Sequence, residues 1–361
     1  MKTEWMLLAA AVAVLLVGCK TTPRTAGEAA GVETQVSDKG RVFLTIDFEL
    51  GRTLRYRFSS RREITLDWDP NAAETASRVQ KHTEQMEMVV AYTPVEVDPY
   101  GVSTIRATVE LVQAVRSGGP TQRATGTDAV VSAQGQSYTI KVDSRGRIVD
   151  ANELRALIAR MGAEAFQGDA SRGRTKNPDM IGDFIAGTWF LWDAMATIPL
   201  PAEGLIIGQK WPSQLPASTP MVMRQARDVT YRFNGFRSGP RGSVGVIEST
   251  YKPADAAPAD WPVPYSGRFR MSGTFGFLGP YEVLGLEGTG EDLFNIKTGR
   301  LERRSHRYTM QFNASLPPMG IQAHPHLTIE QTLTVELLDP ETGNSNIETR
   351  NPKQIQNPKQ K

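Results

Sequence analysis

The 361-residue chain contains a single cysteine, Cys19, and only four histidines. One thiol cannot form a disulfide within the chain, so covalent cross-links do not stabilise the fold. Stability must come from burial of apolar side chains, which make up 40% of the residues. The length is sufficient for two ordinary domains or for one large β domain.

The chain also lacks an excess of charge of either sign. It has 41 lysines and arginines against 39 aspartates and glutamates, a formal net charge of +2. Proteins that bind nucleic acid usually carry a basic excess that is clustered on one face. We therefore expect no nucleic-acid partner.

Motifs of the common hydrolase and nucleotide-binding families are missing. The sequence has no Gly-x-Ser-x-Gly elbow, no His-Glu-x-x-His pair and no phosphate loop of the Walker type. His324 and His326 could offer two imidazoles to zinc, but catalytic zinc usually takes three protein ligands and no third lies nearby. These histidines are better explained by a turn that enters the last strand. We therefore expect no catalysis, no cofactor and no metal.

The N-terminus has the layout of a secretory signal. Lys2 is followed by an apolar run, residues 5–17, and then by Gly18 and Cys19. The run is too short to span a bilayer. The letters "LVGC" that end it resemble the lipobox of bacterial lipoproteins, in which the signal is cut before a cysteine that carries lipid. The resemblance implies a signal peptide at 1–18 and a lipidated Cys19; an ordinary signal with an accidental cysteine is the alternative.

The resemblance also bears on location. Lys20 follows the cysteine in place of the Asp that resembles an inner-membrane retention signal in enteric bacteria, which favours the outer membrane, facing the periplasm. Residues 19–40 then form the lipidated cysteine and a small, polar stretch that we expect to be a flexible tether. Residues 340–361 are likewise expected to be a disordered tail.

Between these ends the dominant pattern is alternation of apolar and polar residues. A period of two indicates strands with one buried face. Several runs exceed the usual strand length of about five or six residues. We expect a mainly β (α+β) fold, with a long antiparallel curved sheet or half-barrel. Clear examples are residues 54–58, 86–92, 105–111 and 327–337.

Two segments follow the helical period instead. Residues 151–166 place apolar side chains on one helical face after Asp150 and Glu153, which are spaced like a capping box. Asn177 and Pro178 look like the start of a second helix, over about 178–196. We therefore expect two central helices between two β regions.

The two β regions echo each other weakly. "YTIKVDSRGRIVD" (138–150) and "DLFNIKTGRLERR" (292–304) both contain a strand, a polar turn and Gly-Arg. Gly146 and Gly299 are expected to supply a positive φ at a hairpin. The echo favours either a duplicated module or merely a common turn. The expected division is a first β module at 41–150, a helical segment at 151–199 and a second β module at 200–339.

One stretch carries a family resemblance. "IPLPAEGLIIGQKW", residues 198–211, is similar to a phrase in uncharacterised β-rich bacterial lipoproteins, in which a Pro-containing link, an apolar strand and Gly-Asp-x-Trp occur; Gln209 replaces the Asp here. The resemblance implies no particular activity. More distantly, long strands with helices after a lipid anchor look like the outer-membrane lipoprotein carrier and receptor proteins, which enclose acyl chains. This is an analogy of fold.

The second helix supplies the candidate binding residues, Phe184, Trp189, Trp192 and Met195. They either line a pocket for an apolar or lipid-like ligand or form plain core, as aromatic stripes on helices usually do. The hypothesis is a lipid-anchored, non-catalytic cell-envelope protein that is attached to the membrane through Cys19 and binds an apolar ligand in a groove between sheet and helix. The alternative is an envelope scaffold that binds other envelope proteins.

Overall fold

The computed structural model describes residues 40–71, 78–118, 127–167, 173–221, 225–315 and 324–338. Contacts divide the chain into Met1–Glu33 and a compact unit, Thr34–Lys361, to which all the described residues belong. Cys19, the predicted signal peptide at 1–18 and the predicted tail at 340–361 lie outside the described residues. Within the part of the chain that is described, no helix is long and apolar enough to cross a membrane.

Strands are the main elements, as the alternation predicted. Eleven of them form one antiparallel sheet in the order β5-β4-β3-β2-β1-β14-β13-β12-β10-β9-β8, with β5 and β8 at its edges. The first part of the chain supplies one half of the sheet and the last part supplies the other. The bounds are β1 Leu54–Asp67, β2 Val79–Val97, β3 Ser103–Ser117, β4 Ser137–Val142, β5 Ile148–Asp150, β6 Phe166–Gln167, β7 Thr175–Lys176, β8 Lys210–Pro216, β9 Ala226–Gly239, β10 Gly242–Pro253, β11 Arg270–Met271, β12 Gly279–Asn295, β13 Arg300–Ser315 and β14 His326–Leu338.

The two halves meet at the pairing of β1 with β14. Their register runs without interruption from Arg55 opposite Leu338 to Asp67 opposite His326. In β1 every second side chain from Leu54 onwards is buried, while its neighbours point outwards. The buried face packs against the helices, so a strand period of two creates one continuous core.

Helix α1, Asn152–Glu164, confirms the first predicted helix, but the predicted capping box is not formed. Ala151 is the N-cap, and Asp150 accepts a hydrogen bond from the Asn152 amide instead. Glu153 accepts from the Thr139 amide at 2.7 Å. The Glu153 carboxylate therefore joins the helix to β4. This bond competes with the capping-box bond that the carboxylate would otherwise accept from the N-cap amide.

The second predicted helix is broken and begins later than expected. It consists of α2, Ile181–Thr188, and α3, Asp193–Ala196, and α2 starts after Met180 rather than at Asn177. In the break, the Phe190 carbonyl accepts a hydrogen bond of 2.7 Å from the buried Arg304 guanidinium. In a continuous helix this carbonyl would accept a hydrogen bond from a backbone amide. The contact with Arg304 replaces that helical hydrogen bond.

Residues 41–48, which we call the N-terminal segment, cross one end of the sheet in extended form. Val42 exchanges two backbone hydrogen bonds with Leu205, of 2.9 and 2.7 Å. Further along, the Ile46 amide donates to Ser144 and the Asp47 amide to Gly299. The segment thus contacts the hairpins β4–β5 and β12–β13, which the two sequence echoes form.

The glycines of these hairpins have the predicted positive φ, 88° at Gly146 and 61° at Gly299. Both positions are also crowded by the N-terminal segment. A Cβ at Gly146 would lie 2.5 Å from Ile46 Cδ1, and one at Gly299 would lie 2.6 Å from the Asp47 nitrogen. Glycine is therefore required at each position for two reasons, the positive φ of the backbone and the close approach of the N-terminal segment.

The motif at 198–211 differs from the apolar strand that its resemblance implied. Leu205 forms only the isolated bridge to Val42, and Ile206 and Ile207 lie in an exposed turn before β8. Trp211 is buried and donates from its indole nitrogen to the Ala194 carbonyl at 3.0 Å. The tryptophan thereby fixes β8 against α3.

Candidate functional site

A cavity of about 290 Å³ lies between α2, the chain that follows β8, and residues 257–269. We call residues 257–269 the cover segment. Four prolines contribute to the walls, which are mainly apolar, and the charged groups, Lys176, Asp179 and Asp183, lie on the α2 side. The lining residues are Lys176, Asp179, Gly182, Asp183, Ile185, Pro216, Ala217, Ser218, Thr219, Pro220, Met221, Gln225, Ala257, Trp261, Pro262, Val263, Pro264, Tyr265 and Phe269.

The cover segment is held in place by α1. A Cβ at Gly162 would lie 1.7 Å from the Pro264 carbonyl oxygen, so the helix and the segment touch through their backbones. Arg155 donates to the Asp260 carbonyl at 2.7 Å. Because Gly162 has no side chain, the segment can pack directly on the helix and close the cavity.

A small sheet secures the other end of the cover segment. Strand β7 pairs with β6 and, in parallel, with β11, which directly follows the cover segment. Arg174 donates to the Ser266 carbonyl at 2.9 Å, and its guanidinium lies 3.7 Å from the ring centre of Phe166. These contacts place Lys176, on β7, at the cavity floor.

The floor consists of Lys176, Asp179 and Tyr265, which are bonded to one another. Lys176 Nζ lies 2.7 Å from Asp179 Oδ2 and 4.2 Å from the ring centre of Tyr265. The Tyr265 hydroxyl donates to Asp179 Oδ1. Burial, and then the Asp179 carboxylate, raise the pKa of Tyr265, so this hydroxyl stays protonated and acts as a donor.

Asp183 also lines the cavity. It belongs to a cluster of buried polar side chains that extends into the sheet. It accepts hydrogen bonds from Ser60, at 2.7 Å, and from Arg62. Arg62 Nε lies 3.1 Å from Glu84 Oε2, and all of these side chains are buried. Burial raises the pKa of Asp183, an effect that Arg62 partly offsets.

Glu84 is shared between two guanidiniums. Arg116 Nε lies 2.8 Å from Glu84 Oε1, and Arg116 also pairs with Asp128 at 2.6 Å. Burial alone would raise the pKa of Glu84, but Arg62 and Arg116 together lower it. The cluster therefore runs from the cavity wall through the sheet to the half-buried Arg116.

A second buried cluster lies in the other half of the sheet. Arg304 on β13 donates to both carboxylate oxygens of Asp292 on β12, and His306 Nε2 lies 3.1 Å from Asp292 Oδ1. Arg304 and His306 lower the pKa of Asp292 although burial opposes this. Burial lowers the pKa of His306 to about 4, so the imidazole is neutral at pH 7.

Asp193 lies beside this second cluster without a cation of its own. It accepts hydrogen bonds of 2.8 Å from Ser213 and from Tyr231. Burial raises its pKa to about 6, although the two hydroxyl donors oppose the rise. The second cluster, unlike Lys176 and Asp179, does not line the cavity.

The residues that the sequence predicted to bind a ligand lie outside the cavity. Phe184, Trp192 and Met195 are buried in the core, and Trp192 packs edge-on against Phe48 at 5.5 Å. Trp189 is partly buried beneath the Arg155 guanidinium. None of the four lines the cavity. The helix was identified, but its opposite face, at Gly182, Asp183 and Ile185, faces the cavity.

The two histidines set aside as zinc ligands are both exposed, and His326 begins β14 as expected. Among the residues that the structure describes, no group of three or more His, Cys, Asp or Glu could hold a metal ion. The sequence reasoning missed Lys176 and Tyr265, which lie outside any periodic segment, and Asp179, which lies in the predicted second helix but was not singled out as a polar site residue.

No protein-family model and no curated protein matches the chain. Among solved structures, the chain is similar to lipovitellin, described for its lipid–protein interactions, with 12% identity, a TM-score of 0.37, and coverage of 81% of this chain but 26% of that one. A putative exported protein with a YmcC-like fold from Bacteroides fragilis has 8% identity, a TM-score of 0.24 and coverage of 83% and 100%. A porin of Rh. blastica has 9% identity, a TM-score of 0.18 and coverage of 78% and 100%. At such scores no function is transferred from these proteins.

Proposed function

We propose that this chain is a lipid-anchored cell-envelope protein that binds a small apolar or lipid-like ligand, without catalysis, in the cavity beneath the cover segment. The observation that carries the proposal is the cavity itself, which combines apolar walls with one polar floor. Binding sites for small molecules usually have this composition. The lipobox-like sequence at Cys19 supports the anchor.

The volume limits the ligand. An apolar cavity of about 150 Å³ accommodates benzene, so the 290 Å³ found here has room for roughly a dozen non-hydrogen atoms. A medium-length alkyl chain with a small polar end fits this limit. A complete phospholipid does not, although one of its chains could enter the cavity.

The charges favour a neutral polar end. The ligand would meet Lys176, which is already paired with Asp179, and Asp183, which is already paired with Arg62. A carboxylate would gain no free cation here and would lie near two acidic groups. An alcohol or ester can hydrogen-bond to the floor without separating either ion pair.

The same pairing supports binding rather than catalysis. Tyr265 donates to Asp179, and Lys176 lies between Asp179 and the aromatic ring. A general base or nucleophile needs a free lone pair directed at the substrate. In this floor the reactive groups are engaged with one another.

The alternative function, a scaffold that recruits partners along its sheet edges, has less support. The edge strand β5 has three residues, and the edge strand β8 carries Pro212 and Pro216. Short strands and prolines hinder the addition of a further strand.

Filling the cavity tests the proposal. A side chain at Gly182 would project toward the cavity wall, since a Cβ there would lie 3.6 Å from the Ser218 hydroxyl and meet nothing closer. We expect Gly182→Leu to fold and to abolish saturable binding of decan-1-ol, measured by tryptophan fluorescence of the lipidated protein in nanodiscs. Wild type should bind decan-1-ol more tightly than decanoate.

Ala156→Leu is the matched control, because it adds the same side chain on the exposed face of α1. It corrects for partition of the alcohol into the nanodisc and should bind like wild type. Equal saturable binding by Gly182→Leu would refute the cavity as the site. Failure of Cys19→Ser to release the protein from membranes would refute the anchor alone.

A further inference from the structure

Several hairpins and the beginning of the described chain lie at one end of the large sheet. Residues 50–53, 97–103, 206–209, 236–242 and 296–299 lie there, since β2–β3, β9–β10 and β12–β13 all turn at this end. The N-terminal segment crosses the same end. We call this surface the hairpin rim.

Two exposed apolar patches lie on the hairpin rim. The first contains Ile206, Ile207 and Phe236, of which Ile207 is 64% and Phe236 46% exposed. The turn that carries the isoleucines is bonded to β9 through the Gly208 amide and the Phe233 carbonyl, at 2.7 Å. The first patch is therefore held rigidly by the sheet.

The second patch lies on the other half of the sheet. It contains Leu50, Val97 and Tyr100, and Tyr100 is 91% exposed at the tip of the β2–β3 turn. The Gly51 amide donates to the Pro94 carbonyl at 2.9 Å, which places Leu50 beside the end of β2. Exposed apolar side chains at several loop tips are typical of an interaction surface.

The N-terminal segment connects the two patches. Near its start Val42 pairs with Leu205, next to Ile206, and it ends at Phe48, two residues before Leu50. The chain that arrives from Cys19 thus enters the folded unit on this rim. Residues 20–40 can reach at most about 75 Å, so in an anchored protein the rim, where this chain attaches, lies within that distance of the lipid.

Three arginines beside the patches are paired with glutamates. Arg41 lies 3.9 Å from Glu203, Arg52 lies 2.7 Å from Glu49, and Arg237 lies 2.6 Å from Glu291. Such pairs add little net charge to the surface. Contact with lipid would therefore depend on apolar side chains rather than on anionic headgroups.

We propose that the hairpin rim rests on the membrane surface, with Ile206, Ile207 and Phe236 on one side and Leu50 and Tyr100 on the other entering the headgroup region. This inference rests on the proposed lipid anchor. Apolar side chains of surface-bound proteins enter about 5–10 Å into the boundary between headgroups and acyl chains, where tyrosine is favoured. Because the tether raises the local concentration of lipid, two small patches are sufficient.

Single cysteines can report on the orientation, since Cys19 is blocked when lipidated. The positions are Tyr100→Cys and Phe236→Cys on the rim, and Phe277→Cys as the matched control. Phe277 is 63% exposed and precedes the start of β12, at the opposite end of the sheet. Each full-length lipidated variant is labelled with bimane and reconstituted into vesicles of phosphatidylethanolamine and phosphatidylglycerol that contain nitroxide-headgroup lipids.

We expect the nitroxide to quench bimane at positions 100 and 236 but not at position 277. Equal quenching at all three positions, or none on the rim of a vesicle-bound protein, would overturn the proposed orientation. Rim positions that are shielded only when a second envelope protein is added would assign the patches to a protein partner instead. If mass spectrometry shows an unlipidated Cys19 and the protein does not bind vesicles, the anchor proposal fails and this inference fails with it.

Discussion

Two of the buried arginines, Arg62 in one half of the sheet and Arg304 in the other, are neutralised in different ways. Arg62 on β1 meets Glu84 from the neighbouring strand and Asp183 from α2. Arg304 on β13 meets Asp292 from the neighbouring strand and a main-chain carbonyl, that of Phe190. Each guanidinium fixes a helical region to the sheet, but only Arg62 does so through a second charge.

The two clusters differ in the partners that the aspartate keeps when its arginine is lost. Without Arg62, Asp183 keeps only neutral donors, Ser60 and Gln331. Without Arg304, Asp292 still has His306, which can take up a proton. In the first cluster Ser60 and Gln331 cannot replace the charge of Arg62, whereas the second contains a group that can become a cation.

Arg62→Met should have the largest effect. It leaves Asp183 as a buried carboxylate without a cation, and breaking a buried pair in this way costs about 3–5 kcal/mol. Urea unfolding at pH 7 measures the loss. Because Asp183 also lines the cavity, binding of decan-1-ol should fall as well. A loss no larger than that of an exposed pair would contradict the role assigned to Arg62.

Arg304→Met should cost about 3 kcal/mol at pH 8 and less than that at pH 5. In wild type, burial holds the pKa of His306 at about 4. Arg304 and Arg227 add to the effect of burial, so loss of the Arg304 charge raises the pKa of His306, which then protonates and pairs with Asp292 at a higher pH than in wild type. Unfolding by urea at both pH values, with Arg62→Met in parallel, tests this. The same loss at both pH values would show that His306 gives no compensation.

Asp193→Asn should alter how stability depends on pH. The pKa of Asp193 is raised from 3.8 to about 6 in the folded protein, so its contribution is fully present below about pH 3.8 and is lost as pH rises through 6. That loss is up to about 3 kcal/mol at 1.36 kcal/mol for each pKa unit. The variant should therefore gain stability relative to wild type between pH 4 and pH 7, measured by urea unfolding across the range. A constant difference would mean that Asp193 does not titrate there.

Arg55→Met should have the smallest effect and serves as the control for Arg62→Met. Arg55 lies on the same strand but faces outwards, where it pairs with Glu110 at 3.0 Å. Exposed ion pairs contribute about 0–1 kcal/mol. The expected change in unfolding free energy is within that range, and the difference should shrink in high salt. A larger loss would indicate that strand β1 itself is sensitive to arginine replacement.

The sheet was predictable because alternation of apolar residues is a local property of the sequence. The same alternation of inward and outward positions also indicated the first buried cluster. Arg62 occupies an inward position of β1, in phase with Phe58 and Ile64, and Glu84 precedes Met86 at an inward position of β2. Opposite charges at inward positions of two neighbouring strands indicate a buried pair. Their connection to Asp183 could not be predicted, because it depends on where α2 lies on the sheet.

The cavity was not predictable for a related reason. Its floor joins Lys176 and Asp179 to Tyr265, far along the chain and in a proline-rich stretch that has no period. The break between α2 and α3 likewise depends on Arg304, which is distant in sequence. The helical pattern correctly identified an apolar segment whose side chains Phe184, Trp192 and Met195 lie in the core, but it could not show that other residues of α2 would line a cavity.

The N-terminal segment has a mechanical consequence. Its backbone bonds to Leu205, Ser144 and Gly299 form a chord across an open sheet, from the turn before edge strand β8 to the hairpin of edge strand β5. A pull on the chain ahead of Arg41 loads the pair at Val42 first, and the other two bonds come under tension only after it yields. Force on the N-terminus is thus absorbed by successive release of the chord, and the strands of the sheet stay paired while it lasts.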